Sequence, residues 1–134
     1  MTPDQNKEIL AAVFDATATG NGRLFVDTLA DDVRWTVIGG TAWSKTYVGK
    51  PSVLNDLLRP LGRQLGGRTV IRASRVLADG DHVVVEGTGH NTTVSGRKYE
   101  NTYCWVIQMR DGKMIELTEY ADTQLIASVL DGPA

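Results

Sequence analysis

The side chains in this sequence that could move protons or act as nucleophiles gather in the second half of the chain: His82, Glu86, His90, Cys104, Glu119 and Asp122. A histidine and a carboxylate can divide a proton transfer between them. Their reference pKa values, near ~6.5 and ~4.3, are each moved toward neutrality by burial or by a neighbouring charge. Side chains alternate along a strand, so His82, Val84, Glu86, Thr88, His90 and Thr92 share one face, while Val83, Val85, Gly87, Gly89 and Asn91 share the other. In the next stretch Tyr99, Asn101, Tyr103, Trp105 and Ile107 form one set, aromatic with a single amide. Farther on, Ile115, Leu117, Glu119 and Ala121 oppose Met114, Glu116, Thr118 and Tyr120, which leaves Glu119 in the more apolar set.

Other ionisable residues have weaker claims. Cys104, the one cysteine, sits in YCWVI with no charged activator beside it and reads as a small buried hydrophobe. His82 follows the Asp79-Gly80-Asp81 turn and reads as exposed, and two histidines without a short shared spacing make no metal site. Asp122, ahead of TQLIASVL, has the form of a helix N-cap, and Asp15 reads as a solvated charge on an amphipathic helix. No GxSxG elbow and no phosphate-cradling glycine loop occurs, so no cofactor is implied.

The elements that must position these residues follow from local pattern. Thr2-Pro3-Asp4-Gln5 is a cap, a first-turn proline and acid, and a capping-box glutamine, and Ile9, Val13 and Ala16 recur at helical spacing after it. That helix stops near Gly20-Asn21-Gly22, and Leu24 to Asp32 suits a short second one, followed by a strand from Val33 to Ile38. Gly39 to Gly49 is an irregular loop whose Trp43 and Tyr47 are expected to cover something, as a lid over a pocket. From Pro51 a third helix runs to Gly66-Gly67, with Pro60 expected to kink it or end its regular part near Leu58. Thr69–Ala78, His82–Val94, Tyr99–Arg110 and Lys113–Ala121 then read as an antiparallel meander, and Asp122 caps a closing helix. Helices first and a long antiparallel sheet afterward predict an α+β domain.

Length and charge bound the rest. At 134 residues, a single domain over 1–134 is expected, and 42% hydrophobic with 22% charged residues suits a packed globular core. Fourteen basic against sixteen acidic residues, net −2, with no Lys/Arg run beyond two, speak against nucleic acid or an anionic membrane as partner. The apolar runs fall far short of the roughly 18–20 residues that span a bilayer. MTPDQNKEIL lacks a basic-then-apolar leader, which points to the cytoplasm.

The order helix, helix, short strand, helix, four long strands resembles the nuclear transport factor 2-like superfamily, which includes ketosteroid isomerases and SnoaL-like polyketide cyclases. LADDVRW, YVGKPSVLNDL and YCWVIQMRDGKMIELTEYADTQL carry the resemblance, and the last is similar to the SnoaL-like strand, DGK turn and strand closing on an acid. The resemblance implies a cone-shaped, curved antiparallel sheet covered by N-terminal helices around an internal cavity. Anchored on the GRK and DGK turns, it places His90, Trp105 and Glu119 inward. It also puts Val37, Trp105 and Val13 where ketosteroid isomerases carry their carboxylate base, carboxylic acid and tyrosine, so steroid isomerisation by that mechanism is not implied. Tyr103-Cys104-Trp105 stands where limonene-epoxide-hydrolase-like members have Arg-x-Asp. What the resemblance leaves is a His90–Glu119 pair in a pocket of Trp35, Val37, Trp43, Tyr103 and Trp105, with Asn101 as a neutral donor. It further implies Asp122 as acid/base, against its reading as a cap.

Two functions stay open on this basis. One is an enzyme that isomerises, cyclises or hydrolyses an apolar cyclic or conjugated carbonyl compound by acid/base chemistry. The other is a noncatalytic domain of the same fold that binds a small ligand or a protein. In either case a homodimer is expected through an outer sheet face of Val83, Val85, Cys104, Val106 and Tyr120.

Overall fold

Helix α1 (Pro3–Thr17) begins where its capping residues dictate. Thr2 Oγ1 accepts from the Gln5 N–H at 3.1 Å, and Gln5 Oε1 accepts from the Thr2 N–H at 2.8 Å. The computed structural model describes residues 1–133, and Ala134, the last residue of the domain read from the sequence, lies outside the described residues. Leu10, Val13 and Phe14 form the buried stripe of α1, each burial contributing about 2 kcal/mol. Helix α2 (Arg23–Thr28) is shorter than expected, because strand β1 (Leu29–Val37) starts four residues before Val33. β2 (Thr46–Val48) forms inside the expected loop and pairs antiparallel with β1, setting Tyr47 opposite Trp35.

The third helix runs on to Gln64, and its regular α-helical part is interrupted just before Pro60, over Val53–Leu58. Its α-helical start, α3 (Lys50–Ser52), continues as a π-helical stretch (Val53–Leu58) and then as α4 (Arg59–Gln64). Pro60 has no N–H to donate to the turn before it. The wider π turn, in which the Arg59 N–H reaches Leu54 O, lets the chain pass that position without breaking.

The meander is present as β3 (Ile71–Asp79), β4 (His82–Gly89), β7 (Thr102–Arg110) and β8 (Lys113–Ala121). The expected strands 82–94 and 99–110 are interrupted at His90 and at Glu100-Asn101, and β5 (Asn91–Thr92) and β6 (Lys98–Tyr99) pair as a separate ribbon. The main sheet runs β2-β1-β8-β7-β4-β3 and is antiparallel except between β1 and β8, which are parallel. That one parallel pair brings the first strand beside the last, and so joins Trp35 and Val37 to Leu117 and Glu119. A register shift in β3 between Ala73 and Arg75 helps curve the sheet, and α1 packs on β3 and β4. Helix α5 (Thr123–Val129) turns back after β8, with Ile126 buried. No helix among the described residues is long and apolar enough to cross a membrane.

Candidate active site

The register fixes which side chains face the helices. Val85 pairs with Trp105, Gly87 with Tyr103, and Trp105 in turn with Glu119. The inner face therefore carries Val83, Val85, Tyr103, Trp105, Leu117 and Glu119. Between this face and the helices lies a cavity of about 460 Å³, lined from α1 by Phe14, from β1 by Trp35 and Val37, and from the π stretch and α4 by Leu57, Leu58 and Leu61. Exposed Gly22, Arg23, Asp27 and Gly67 form its rim. Aromatic rings run around it in sequence. Tyr103 stacks on Trp105 at 4.6 Å, Trp105 meets Phe14 at 5.3 Å, Phe14 meets Phe25 edge-on at 5.9 Å, and Phe25 meets Trp35 at 5.5 Å.

Glu119 is the carboxylate of this wall. Its Oε1 accepts from the Trp105 Nε1–H at 2.9 Å, and no cation pairs with it. Burial among apolar groups disfavours the charged form and lifts its pKa to about 7, with the Trp105 hydrogen bond pulling weakly the other way. The residue keeps some accessible surface, as a side chain facing an open cavity does. Tyr99 and Tyr103 are also held above the ordinary phenol range, mainly by burial and further by the Glu119 charge, so both stay protonated at neutral pH.

Trp43 is buried as expected of a covering residue, but in the wall itself. Its Nε1–H goes to Asp131 O at 2.9 Å, and its own carbonyl accepts from the Tyr47 hydroxyl at 2.8 Å. Gln64 clasps the same Asp131 through both backbone groups, so the segment after α5 closes the cavity beside Leu130.

Three expected site residues lie elsewhere. His90 does not meet Glu119: it is exposed on the outer side, with Nε2 3.0 Å from Thr88 Oγ1 and Nδ1 3.5 Å from Glu100. The reason is that β4 turns Val83, Val85, Gly87 and Gly89 inward, which also removes Val83 and Val85 from the outer face on which they were expected. Asn101, fully buried, is a bracket and not a ligand donor. Its Oδ1 accepts from the Thr102 and Asp122 N–H groups at 2.8 and 2.9 Å, and its Nδ2 donates to Tyr99 Oη and Asp122 O at 3.1 and 3.2 Å. Asp122 is exposed and caps α5, its Oδ1 accepting from the Leu125 N–H at 3.2 Å. Cys104 is half-buried on the outer face, where burial raises its thiol pKa, so it is not an activated nucleophile. Among the described residues no group of three or more His, Cys, Asp and Glu side chains could hold a metal ion.

A family model for the SnoaL-like domain matches residues 10–117. The chain belongs to this family. The fold recurs in a nuclear transport factor 2-like protein from Burkholderia thailandensis (TM-score 0.80, 21% identity, 98% of this chain and 99% of that one). It recurs in TerC co-crystallised with polyporic acid (0.78, 23%, 96% and 98%), and in a protein assigned as a SnoaL-like polyketide cyclase from Jannaschia sp. CCS1 (0.74, 18%, 95% and 94%). No curated protein matches the sequence.

The SnoaL-like match ends two residues before Glu119, so membership of the family says nothing about that carboxylate. The cavity also takes in Phe14, Thr17, Tyr99, Ile126 and Leu130, which were not singled out in the sequence as lining a site. One signal was available in the spacing Gly87-x-Gly89. A Cβ on Gly89 would stand 3.3 Å from the Tyr103 ring, and one on Gly87 would be 2.6 Å from Arg72 O. Of the two, Gly89 marks the face on which the Tyr103 ring lies close, while Gly87 marks the close approach of the β3 backbone.

Proposed function

We propose that this SnoaL-like domain is an enzyme that moves a proton on an apolar cyclic or conjugated carbonyl compound, with Glu119 as the acid/base. The observation that supports this reading is a carboxylate, held by an indole N–H and paired with no cation, in the wall of an open aromatic cavity whose exposed rim carries Arg23 and Asp27. A carboxyl whose pKa is about 7 exists in both forms at neutral pH, and the same group can take a proton and return it. In the step proposed, the carboxylate removes a proton from the carbon next to the carbonyl. The C–H electron pair becomes the new C=C bond, and the carbonyl π pair moves on to oxygen. Return of that proton to another carbon of the conjugated system leaves an isomer with no atom gained or lost. Rings of the wall supply apolar contact area, and few polar groups converge with them, as in sites for small organic ligands. TerC, a similar fold, was co-crystallised with an organic compound, which is in keeping with that use of the cavity.

The test is a thermal-shift screen of steroids, polyketide-like aromatics and terpenoids, followed by turnover assays on every compound that binds. Ligand at ~100 times its Kd stabilises the fold by ~2.7 kcal/mol, a rise of several degrees. Turnover that falls at least ~100-fold in Glu119→Gln is the expected result. Full turnover in that variant would remove Glu119 from the mechanism, and tight binding without turnover would favour the noncatalytic alternative.

A further inference from the structure

Trp105 and Glu119 stand opposite each other because of one extra residue in β8. Next to the Asp111-Gly112 turn Met109 pairs with Met114, but Gln108 pairs with Glu116, so β8 bulges there. Met114 and Leu117, three apart, are both fully buried as a result. Without that bulge Thr118, and not Glu119, would lie across from Trp105; re-aiming a side chain is a recurrent use of a bulge beside a site. The indole is itself held between two rings, Tyr103 stacked on it at 4.6 Å and Phe14 tilted against it at 5.3 Å, and its Nε1–H goes to Glu119 Oε1 at 2.9 Å. Oε2 accepts no hydrogen bond from the protein. It is also not one of the polar side-chain atoms that the fold seals off without a partner, which among the described residues are Asn6 Oδ1 and Trp35 Nε1. Oε2 is therefore open, on a residue that lines the cavity.

We infer that Trp105 is the positioning residue of the reaction, holding Oε1 so that Oε2 is the oxygen that takes the proton from the ligand and returns it. The inference rests on Glu119 being the acid/base proposed above. A carboxyl fixed at one oxygen presents the other in one orientation, and the reacting atoms start close to their productive geometry. The donor also favours the charged form, which is the form that removes a proton. The other titratable and charged groups around Glu119 are the phenols of Tyr47 on β2, Tyr99 on β6 and Tyr103 on β7, all held above the ordinary phenol range, and Arg23 and Asp27 of α2 at the rim.

Three readouts separate this role from packing alone. In wild-type protein the Trp105 indole N–H resonance should move downfield as pH rises through about 7, because its acceptor becomes charged, and Glu119→Gln should abolish that movement. In Trp105→Phe the Glu119 carboxyl, followed by carbon-13 NMR, should titrate at higher pH, its proton affinity raised about three- to ten-fold by loss of the donor. Water admitted by a mere loss of packing would move that titration the other way, toward 4.5. The probe for chemistry is 1-tetralone in heavy water: Trp105→Phe should exchange the hydrogens beside its carbonyl at least ~10-fold more slowly than wild type, with the pH profile displaced upward. An indole resonance that does not titrate, a Glu119 titration unmoved or lowered in Trp105→Phe, or undiminished exchange in that variant overturns the inference and leaves Glu119 as the acid/base. Wild-type exchange no faster than in buffer counts against that reading, and the inference falls with it.

Discussion

Replacing Glu119 with glutamine keeps an acceptor for the Trp105 indole and removes the titration, so it isolates the energetic consequence of placing a carboxyl in this wall. The folded-state pKa, about 7, lies above the ordinary 4.5, so between those values the folded protein holds a proton that the unfolded chain has released. Stability from this group is therefore fully present below about pH 4.5 and is lost as pH rises toward and through about 7. At ~1.4 kcal/mol for each tenfold change in proton affinity, the full loss is ~3 kcal/mol, with ~2.5 kcal/mol of it between about pH 5 and about pH 8.5. Water reaching the carboxyl through the cavity makes these upper figures. Urea unfolding of both proteins at the two pH values measures it, since every other titrating group cancels in the difference. Wild type should lose ~2.5 kcal/mol more than Glu119→Gln over that range. Parallel stability curves would refute the argument, because they would mean that Glu119 is solvated or paired in solution.

The remaining predictions concern the surroundings of the site. Asp122→Ala should cost ~1 kcal/mol by uncapping α5, whereas Asp122→Asn should keep both the cap and turnover; lost turnover in a stable Asp122→Asn would return Asp122 to the chemistry. Asn101→Ala should destabilise by roughly 2–3 kcal/mol in thermal or urea unfolding, because the part-buried backbone groups of Thr102 and Asp122 lose their partners together. The outer face retains Val84, Cys104, Val106 and Tyr120, and we propose that a homodimer forms there; sedimentation at micromolar protein should give twice the monomer mass, and a monomer would exclude it.

Much of this fold can be read from local chemistry. The capping box at Thr2–Gln5, the extent of β8, the cap at Asp122 and the alternation that groups Tyr103 with Trp105 and Leu117 with Glu119 follow from residue types at fixed spacing, whereas it is the resemblance that supplies the inward facing of Trp105 and Glu119. Long-range pairing is where local reading fails. His82–Val94 looks like one strand, but the chain leaves the sheet at His90, whose N–H goes to Val70 O, and Asn91 holds Val70 through both of its side-chain atoms. With alternation known but no partner strand, either face of β4 could be the inner one, and a one-residue choice exchanges His90 for Gly89. The early start of β1 likewise depends on Met114, which lies opposite Leu29 in the parallel ladder some eighty residues away. The π turn before Pro60 is a third case, since a proline inside a helical pattern can end the helix or be absorbed by a local widening.

The central claim is that Glu119 exchanges a proton with carbon next to a carbonyl inside the cavity. Deuterium exchange tests it without knowledge of the product: ketones that stabilise the protein in the thermal screen are incubated with it in heavy water, and label is followed by mass spectrometry and proton NMR. Wild type should place deuterium on the carbon beside the carbonyl well above the buffer rate, and Glu119→Gln should fall back to that rate. Ketones that bind yet exchange no faster than in buffer, or exchange undiminished in Glu119→Gln, would contradict the account.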